Sequence, residues 1–318
     1  MLEWTLRPIA EFDGYADQWD YLNGQKLPWL SSDSVKVLLR HFGGRQKLAI
    51  ARDRGTLAMT IIERRGLSWQ TWQPSQCPTG LWVQPIEADL THLVHTLRAR
   101  LGACVLGVTQ LDPDIYDRPP IAMDYIETAR ITVGDTFEEY WASRGKNLRQ
   151  DLPNQLRKLE RAETPGRLVV TSDPDAVDLY GEIESAGWKG ATALSPTNAQ
   201  GKFYREWLPA IGGFTALYYF GTRLVACDLC VAQDCVLTIL KTTHNEGVKG
   251  YSPASLLRYE LFRQMWGELH RIEFYGRVSW HKSWTKEVRK LYHVNVYRWE
   301  VEVLKGMWGW VRDWHTAK

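Results

Sequence analysis

The segment Glu246-Gly-Val-Lys-Gly-Tyr-Ser-Pro-Ala-Ser255 sets a lysine and two glycines directly before a helix start. Ser252 suits the cap and Pro253 the first helical position, where its missing N–H costs nothing. The free amides of that first turn, around Ser252, Ala254 and Ser255, act with the helix dipole and Lys249 to favour a phosphate, and Gly250 lets the backbone come close to it. A capped helix beside a tight loop reads equally well from the same residues. Three further side chains could move protons: Glu184, His244 and His281 would each titrate usefully once burial shifts them. For Glu184 the competing reading is an ion pair with Lys189 or an arginine.

Charge is concentrated in one place. Arg144, Lys146, Arg149, Arg157, Lys158 and Arg161 stand against only Asp151 and Glu160, six positive less two negative, a local net of +4. A solvated helical face explains this run; an anionic acceptor, a tRNA acceptor stem or an acidic carrier protein are the sharper readings. Aromatic interleaving is too sparse there for single-stranded nucleic acid, and no DNA partner is expected. No metal is expected either. Cys227-Asp-Leu-Cys230 reads as strand, where residues three apart face opposite sides, and His92-Leu-Val-His95 has no identifiable third ligand.

The elements that must hold these residues come in two similar sets. In the first half, strands are predicted at Glu3 to Pro8, Lys47 to Arg52, Thr56 to Glu63, Ser68 to Gln73 and Ala103 to Thr109, with helices through the teens, up to Phe42, and from Ala88 to Leu101 before Gly102. In the second half, a basic helix spans Arg144 to Arg161, strands lie at Phe214 to Phe220, Arg223 to Ala232 and Cys235 to Thr242, and a helix runs from Pro253 to about Glu268. A strand at Arg271 to Tyr275, a helix at Trp284 to Tyr292 and a strand at Val294 to Val303 complete the set. The fold class is α/β, built as tandem units that each carry a mixed, mostly antiparallel sheet flanked by helices. The boundary is placed within Ile131 to Phe137 at Gly134-Asp135, giving units 1–134 and 135–318.

Composition bounds the class. The chain has 318 residues, 44% apolar, 24% charged, with a net charge of +2, which excludes a disordered chain, a collagen-like chain and a general nucleic-acid coat. No apolar run reaches the ~18 residues of a membrane span, and no secretion signal is visible, so a cytoplasmic location is expected. Five cysteines at irregular spacing fit that compartment. The 16 tryptophans point to large flat contact surfaces as well as core, and Trp308, Trp310 and Trp314 suit a dimer, a membrane-surface contact or packing on the protein's own sheet.

Three antiparallel strands, a helix whose amino end follows a glycine-containing loop, then a strand and another helix is the element order of the GNAT acyltransferase core. Glu184-Ser-Ala-Gly-Trp188-Lys189-Gly, Tyr251-Ser-Pro-Ala-Ser-Leu-Leu257, Tyr275-Gly276 and His281-Lys282-Ser-Trp284 resemble the cellulose-biosynthesis-associated, BioF2-like branch of that superfamily, which is similar in tandem layout to FemAB-type transferases. The resemblance covers about Thr136 to Tyr297. Two departures stand out. The glycines of 246–254 do not follow the usual Arg/Gln-x-x-Gly-x-Gly/Ala register, and Pro153 should kink the basic helix.

The resemblance implies an N- or O-acyltransferase that takes an acyl group, acetyl first, from acyl-CoA to an amine or hydroxyl of a small molecule or glycan, such as a sugar or cell-envelope precursor. It implies coenzyme A phosphates at Lys249, Gly250, Ser252, Ala254 and Ser255, and an oxyanion donor from main chain near the end of Cys235 to Thr242. Glu184 becomes the first choice for proton removal, with His244 and His281 behind it. Tyr292 becomes the acid for the departing thiolate, and Trp188, Lys189, Lys282 and Trp284 shape the acceptor pocket. The alternatives are a FemAB-like enzyme using aminoacyl-tRNA, or a non-catalytic accessory of polysaccharide synthesis.

Overall fold

The computed structural model describes residues 2–24, 27–187, 194–275 and 280–299. Two compact units divide the chain: residues up to Ile126 together with those from Lys290 onward, and Glu127–Arg289. The chain leaves the first unit after Ile126, the expected boundary being within Ile131 to Phe137, and returns to it at Lys290.

The first unit carries β1 (Glu3–Pro8), α1 (Ala16–Leu22), α2 (Ser32–Phe42), β2 (Lys47–Arg52), β3 (Thr56–Arg65), β4 (Ser68–Thr71), β5 (Trp82–Val83), α3 (Leu90–Leu101) and β6 (Val105–Leu111). β1 to β4 form an antiparallel meander, and β4 pairs in parallel with β6. That parallel step needs a crossover, which α3 supplies. Asp89 caps α3 by accepting from the His92 amide at 3.1 Å, and Gly102 ends it in the left-handed region at φ +58°. Leu90, Leu93, Val94 and Leu97 bury its apolar stripe.

The second unit repeats this plan. β7 (Ala122–Thr132) leads into it, followed by α4 (Phe137–Ala142), α5 (Lys146–Arg161), β8 (Gly166–Thr171), α6 (Ala176–Ala186) and α7 (Ala199–Ala210). Then come β9 (Gly213–Phe220), β10 (Arg223–Gln233), β11 (Val236–His244), α8 (Pro253–Met265) and β12 (Arg271–Phe274). β8 to β11 are antiparallel, β11 pairs in parallel with β12 across α8, and β12 is antiparallel to β7. In the first unit the strand in the position of β7 is β13 (Val288–Tyr297), antiparallel to β6. Each unit therefore closes with the strand that follows the other unit's last parallel strand in the chain.

β10 is the centre of the second unit. Every residue from Val225 to Val231 is buried, so both faces of the strand are covered and even Asp228 lies inside. The apolar core around it includes Ala226, Cys230, Leu257, Leu261, Phe262 and Trp284. Pro153 sits inside α5, which continues to Arg161 on the buried Leu152 and Leu159. The predicted helix at Trp284 to Tyr292 does not form. Trp280–Ser283 make one 3-10 turn, and Val288–Tyr297 is strand, because Arg289, Leu291, Val294 and Val296 are buried at a period of two with a bulge near Tyr292. β7, β8, α6 and α7 are elements the sequence reading did not place.

Candidate active site

The site begins with a parting of strands. Among the described residues β11 pairs with β12 only through Val236–Ile239, while its own partnership with β10 continues to His244. At that point the β10 register jumps from Cys230↔Ile239 to Leu229↔Lys241, so Leu240 is an extra, bulged residue. A bulge bends its strand and raises the local twist, and β12 ends at Phe274, opposite the residue just before it. Thr242, Thr243 and His244 then line one wall of a cleft of about 470 Å³, and Ser252 to Ser255 and Arg258 of α8 line another.

α8 starts where the sequence predicts, with Pro253 at the first helical position, but the Ser252 side chain makes no capping hydrogen bond. Little of the expected row of free amides is left here: Pro253 has no N–H, and the Ser255 and Leu256 amides both donate to the Ser252 carbonyl, at 2.9 and 3.0 Å, so the Ala254 amide is the one that stays open. Ser252 donates its amide to Gln155 Oε1 of α5 at 2.8 Å, so the basic helix touches this end directly. Ser252, Ala254 and Ser255 face the cleft, whereas Lys249 and Gly250 lie in the exposed loop leading to it, Gly250 with φ +80°.

Glu184 is buried, at 4% exposure, and lines the cleft from α6. Its Oε2 accepts the Leu194 amide at 3.0 Å and its Oε1 lies 3.3 Å from the Tyr180 hydroxyl. Tyr180, one turn earlier on α6, also reaches the Thr242 carbonyl at 3.2 Å, joining α6 to the end of β11. Burial and the Glu184 charge push the Tyr180 hydroxyl well above its ordinary value, so it stays protonated and serves as a donor. Gly181 lets the chain at Leu194 lie against α6: a Cβ there would come within 2.0 Å of the Leu194 carbonyl oxygen.

Below the cleft lies an ion pair that sequence reasoning missed. Asp228 of β10 is 0% exposed and takes Arg258 Nε at 3.1 Å and Nη2 at 3.3 Å. Nη2 also donates to the Thr242 hydroxyl, and the Trp280 ring covers the guanidinium at 3.7 Å. Burial raises the Asp228 carboxyl while Arg258 and Thr242 pull it down; burial is the larger effect. The signal was present in the chain: a carboxylate within a continuous apolar strand requires a buried partner, and Arg258 sits beside the apolar stripe of α8.

The structure brings together Glu184, His244, Ser252, Ala254 and Ser255. His244 ends β11 and is exposed. His281 is buried at 3% exposure beside the cleft residue Trp280, and neither ring nitrogen has a protein partner among the described residues. Lys282 is exposed, and Trp284 is core, its ring 5.2 Å from Phe262. Tyr292 belongs to the first unit, in β13, with its hydroxyl 3.2 Å from the Tyr116 carbonyl; it does not end a helix and is not among the cleft residues. Trp188, Lys189, Gly276 and the tryptophans of the carboxyl tail lie outside the described residues. Among the described residues no three His, Cys, Asp or Glu side chains gather as a metal site, and no helix is long and apolar enough to cross a membrane.

Residues 146–283 match the family described as acetyltransferase (GNAT) domain. No curated protein sequence matches the chain. Among solved structures, FemX aligns with TM-score 0.56 at 8% identity over 84% of this chain and 91% of its own. The C-terminal (DUF2156) domain of an Agrobacterium fabrum protein named as a lysylphosphatidylglycerol synthetase aligns with TM-score 0.54 at 13% identity over 89% and 91%. A conserved Bacteroides thetaiotaomicron protein of unknown function gives TM-score 0.52 at 12% identity over 93% and 99%. At these identities the likeness is one of fold.

Proposed function

We propose that this acyltransferase, which carries a GNAT-type acetyltransferase domain at residues 146–283, moves an acyl group from an acyl-coenzyme A thioester to an acceptor held in the cleft beside β11. The observation that carries the reading is the parting of β11 from β12 directly in front of the α8 amino end. An extended thioester chain can pair with an open strand edge while its phosphates meet the Ala254 amide and the positive end of the α8 dipole, with Lys249 in the adjoining loop. In the reaction the acceptor attacks the thioester carbonyl carbon, the carbon–sulfur bond breaks, and the acceptor's proton goes to Glu184. The Leu194 amide and the Tyr180 hydroxyl hold that carboxylate in place. His244, at the cleft wall, is the second choice of base. The departing thiolate takes its proton from solvent.

Glu184 and Glu246 both line the cleft, which favours an amine over a hydroxyl, because an ammonium is drawn to carboxylates before it loses its proton. Acetyl as the acyl group, a sugar or cell-envelope precursor as the acceptor, the BioF2-like branch and a cytoplasmic location belong to the same proposal. Arg149, Arg157, Lys158 and Arg161 of α5 are exposed beside this end of the domain, which keeps an aminoacyl-tRNA donor as the second reading. Thermal melting with acetyl-CoA, longer acyl-CoAs and free coenzyme A tests the first: a dose-dependent rise is expected. Lys249→Ala with Ser252→Glu should remove most of that rise. No shift at millimolar ligand would overturn the proposal, and salt-sensitive tRNA binding would then favour the second.

A further inference from the structure

Resting on the acyl-transfer reading, we propose that Arg258 supplies a side-chain hydrogen-bond donor to the oxyanion formed on the thioester carbonyl. Arg258 lines the cleft although its side chain is only 3% exposed. Its Nε and Nη2 are spent on Asp228 and Thr242, and Trp280 covers one face of the plane. Nη1 has no protein acceptor among the described residues, and it is not among the sealed polar atoms left without partners. The guanidinium is thus held by three hydrogen bonds, two to Asp228 and one to Thr242 of β11, and Nη1 is its one nitrogen without a protein acceptor, on a side chain that lines the cleft.

Charge decides what that group receives. Asp228 cancels the guanidinium charge from 3.1 Å, so a phosphate or carboxylate approaching Nη1 would also meet the Asp228 field. A neutral carbonyl oxygen meets no such repulsion and gains charge only as the reaction proceeds. When the acceptor's lone pair forms its bond to the carbonyl carbon, the π pair moves onto oxygen; it returns as carbon–sulfur cleavage releases the thiolate, and the acceptor's proton leaves to Glu184. A fixed donor in a site shielded by an indole ring stabilises that transient charge without having to reorganise. Arg258 would act beside a main-chain amide at the end of β11. Asp228, which touches no substrate, is the positioning residue.

The test uses the full chain and thiol release from acetyl-CoA, with water or a panel of primary amines as acceptor, alongside affinities for acetyl-CoA and free coenzyme A from melting shifts. Arg258→Lys keeps the charge but loses the fork; Asp228→Asn with Arg258→Gln removes both charges together, so neither is left buried alone. In both variants kcat is expected to fall about 100-fold or more, with both affinities within about threefold of wild type, a split that a merely structural role would not produce. Circular dichroism melts identify a variant that does not fold, in which case the other decides. Variants that keep kcat within threefold, or that lose affinity in step with rate, would overturn the assignment of Arg258. A wild-type protein with neither turnover nor a melting shift would overturn the acyl-transfer reading itself.

Discussion

Replacing Arg258 by Met and, separately, Asp228 by Asn removes one partner each from a fully buried ion pair, yet the two variants should respond oppositely to acid. Both charges lie within the Glu127–Arg289 unit, with Asp228 at 0% exposure and two nitrogens at 3.1 and 3.3 Å. Leaving either charge alone costs roughly 3–5 kcal/mol. In a unit of this size that corresponds to a melting point lower by about 6–20 °C. Asp228 can escape by taking a proton, because burial already raises its carboxyl. Its folded value then exceeds its unfolded one, so the folded state holds more protons, and stability falls as pH rises between the two by about 1.4 kcal/mol per unit. The gap between Arg258→Met and wild type should therefore narrow as pH is lowered from 7 toward 5. An arginine left without Asp228 stays charged throughout, so the Asp228→Asn gap should not narrow. Urea unfolding of the three proteins at half-unit pH steps makes the comparison. Parallel pH profiles for the two variants, or recovery by Asp228→Asn alone, would refute the reasoning.

Three further outcomes are expected. Glu184→Gln should slow acyl transfer by about 10²–10⁴-fold while leaving the acetyl-CoA melting shift intact, and a rate within threefold of wild type would remove Glu184 as the base. His293 is half-buried, its ring centred 4.0 Å from that of Tyr125 and tilted to it by 39°, and it accepts the Gln110 amide at 2.8 Å; burial lowers its pKa, so its neutral form belongs to the fold. The stability it confers is full above about pH 6.5 and is lost as pH falls through the lowered folded value, and His293→Gln should flatten this part of the first unit's melting profile. Gly181→Ala reverses the usual rule. A helix-interior glycine ordinarily gains about 1 kcal/mol on becoming alanine, but here the Cβ meets the Leu194 oxygen at 2.0 Å, so a lower melting point is expected and a higher one would show that the Leu194 segment yields freely.

Much of the second unit was legible because its signals are local. The β9 to β11 meander, the Pro-initiated α8 and the amphipathic α5 each announce themselves in local patterns, and their order is the one on which the resemblance to a GNAT core rests, in the stretch that matches an acetyltransferase (GNAT) domain. The site was legible where it follows from a helix start or a strand end, as with Ser252 and His244. It was illegible where two residues 30 apart find each other across layers: nothing near Asp228 names Arg258, and Tyr180 gains its role only because α6 packs beside the end of β11. The 284–292 segment was misread because Trp284-Thr-Lys-Glu-Val-Arg-Lys-Leu-Tyr292 has helix-compatible composition, while pairing with β6 favours the extended form of its second half.

The exchange of closing strands has a consequence for synthesis. A nascent chain completes the first unit's meander and β6 early, but β13, whose Tyr292 to Tyr297 covers β6, leaves the ribosome only after the whole of Glu127–Arg289. Until then β6 presents bare amides and carbonyls, which invite pairing with another chain. Translation that stalls, or a chain cut before Lys290, would leave that edge open, so an arrested intermediate of this protein carries an aggregation-prone strand that the finished molecule conceals.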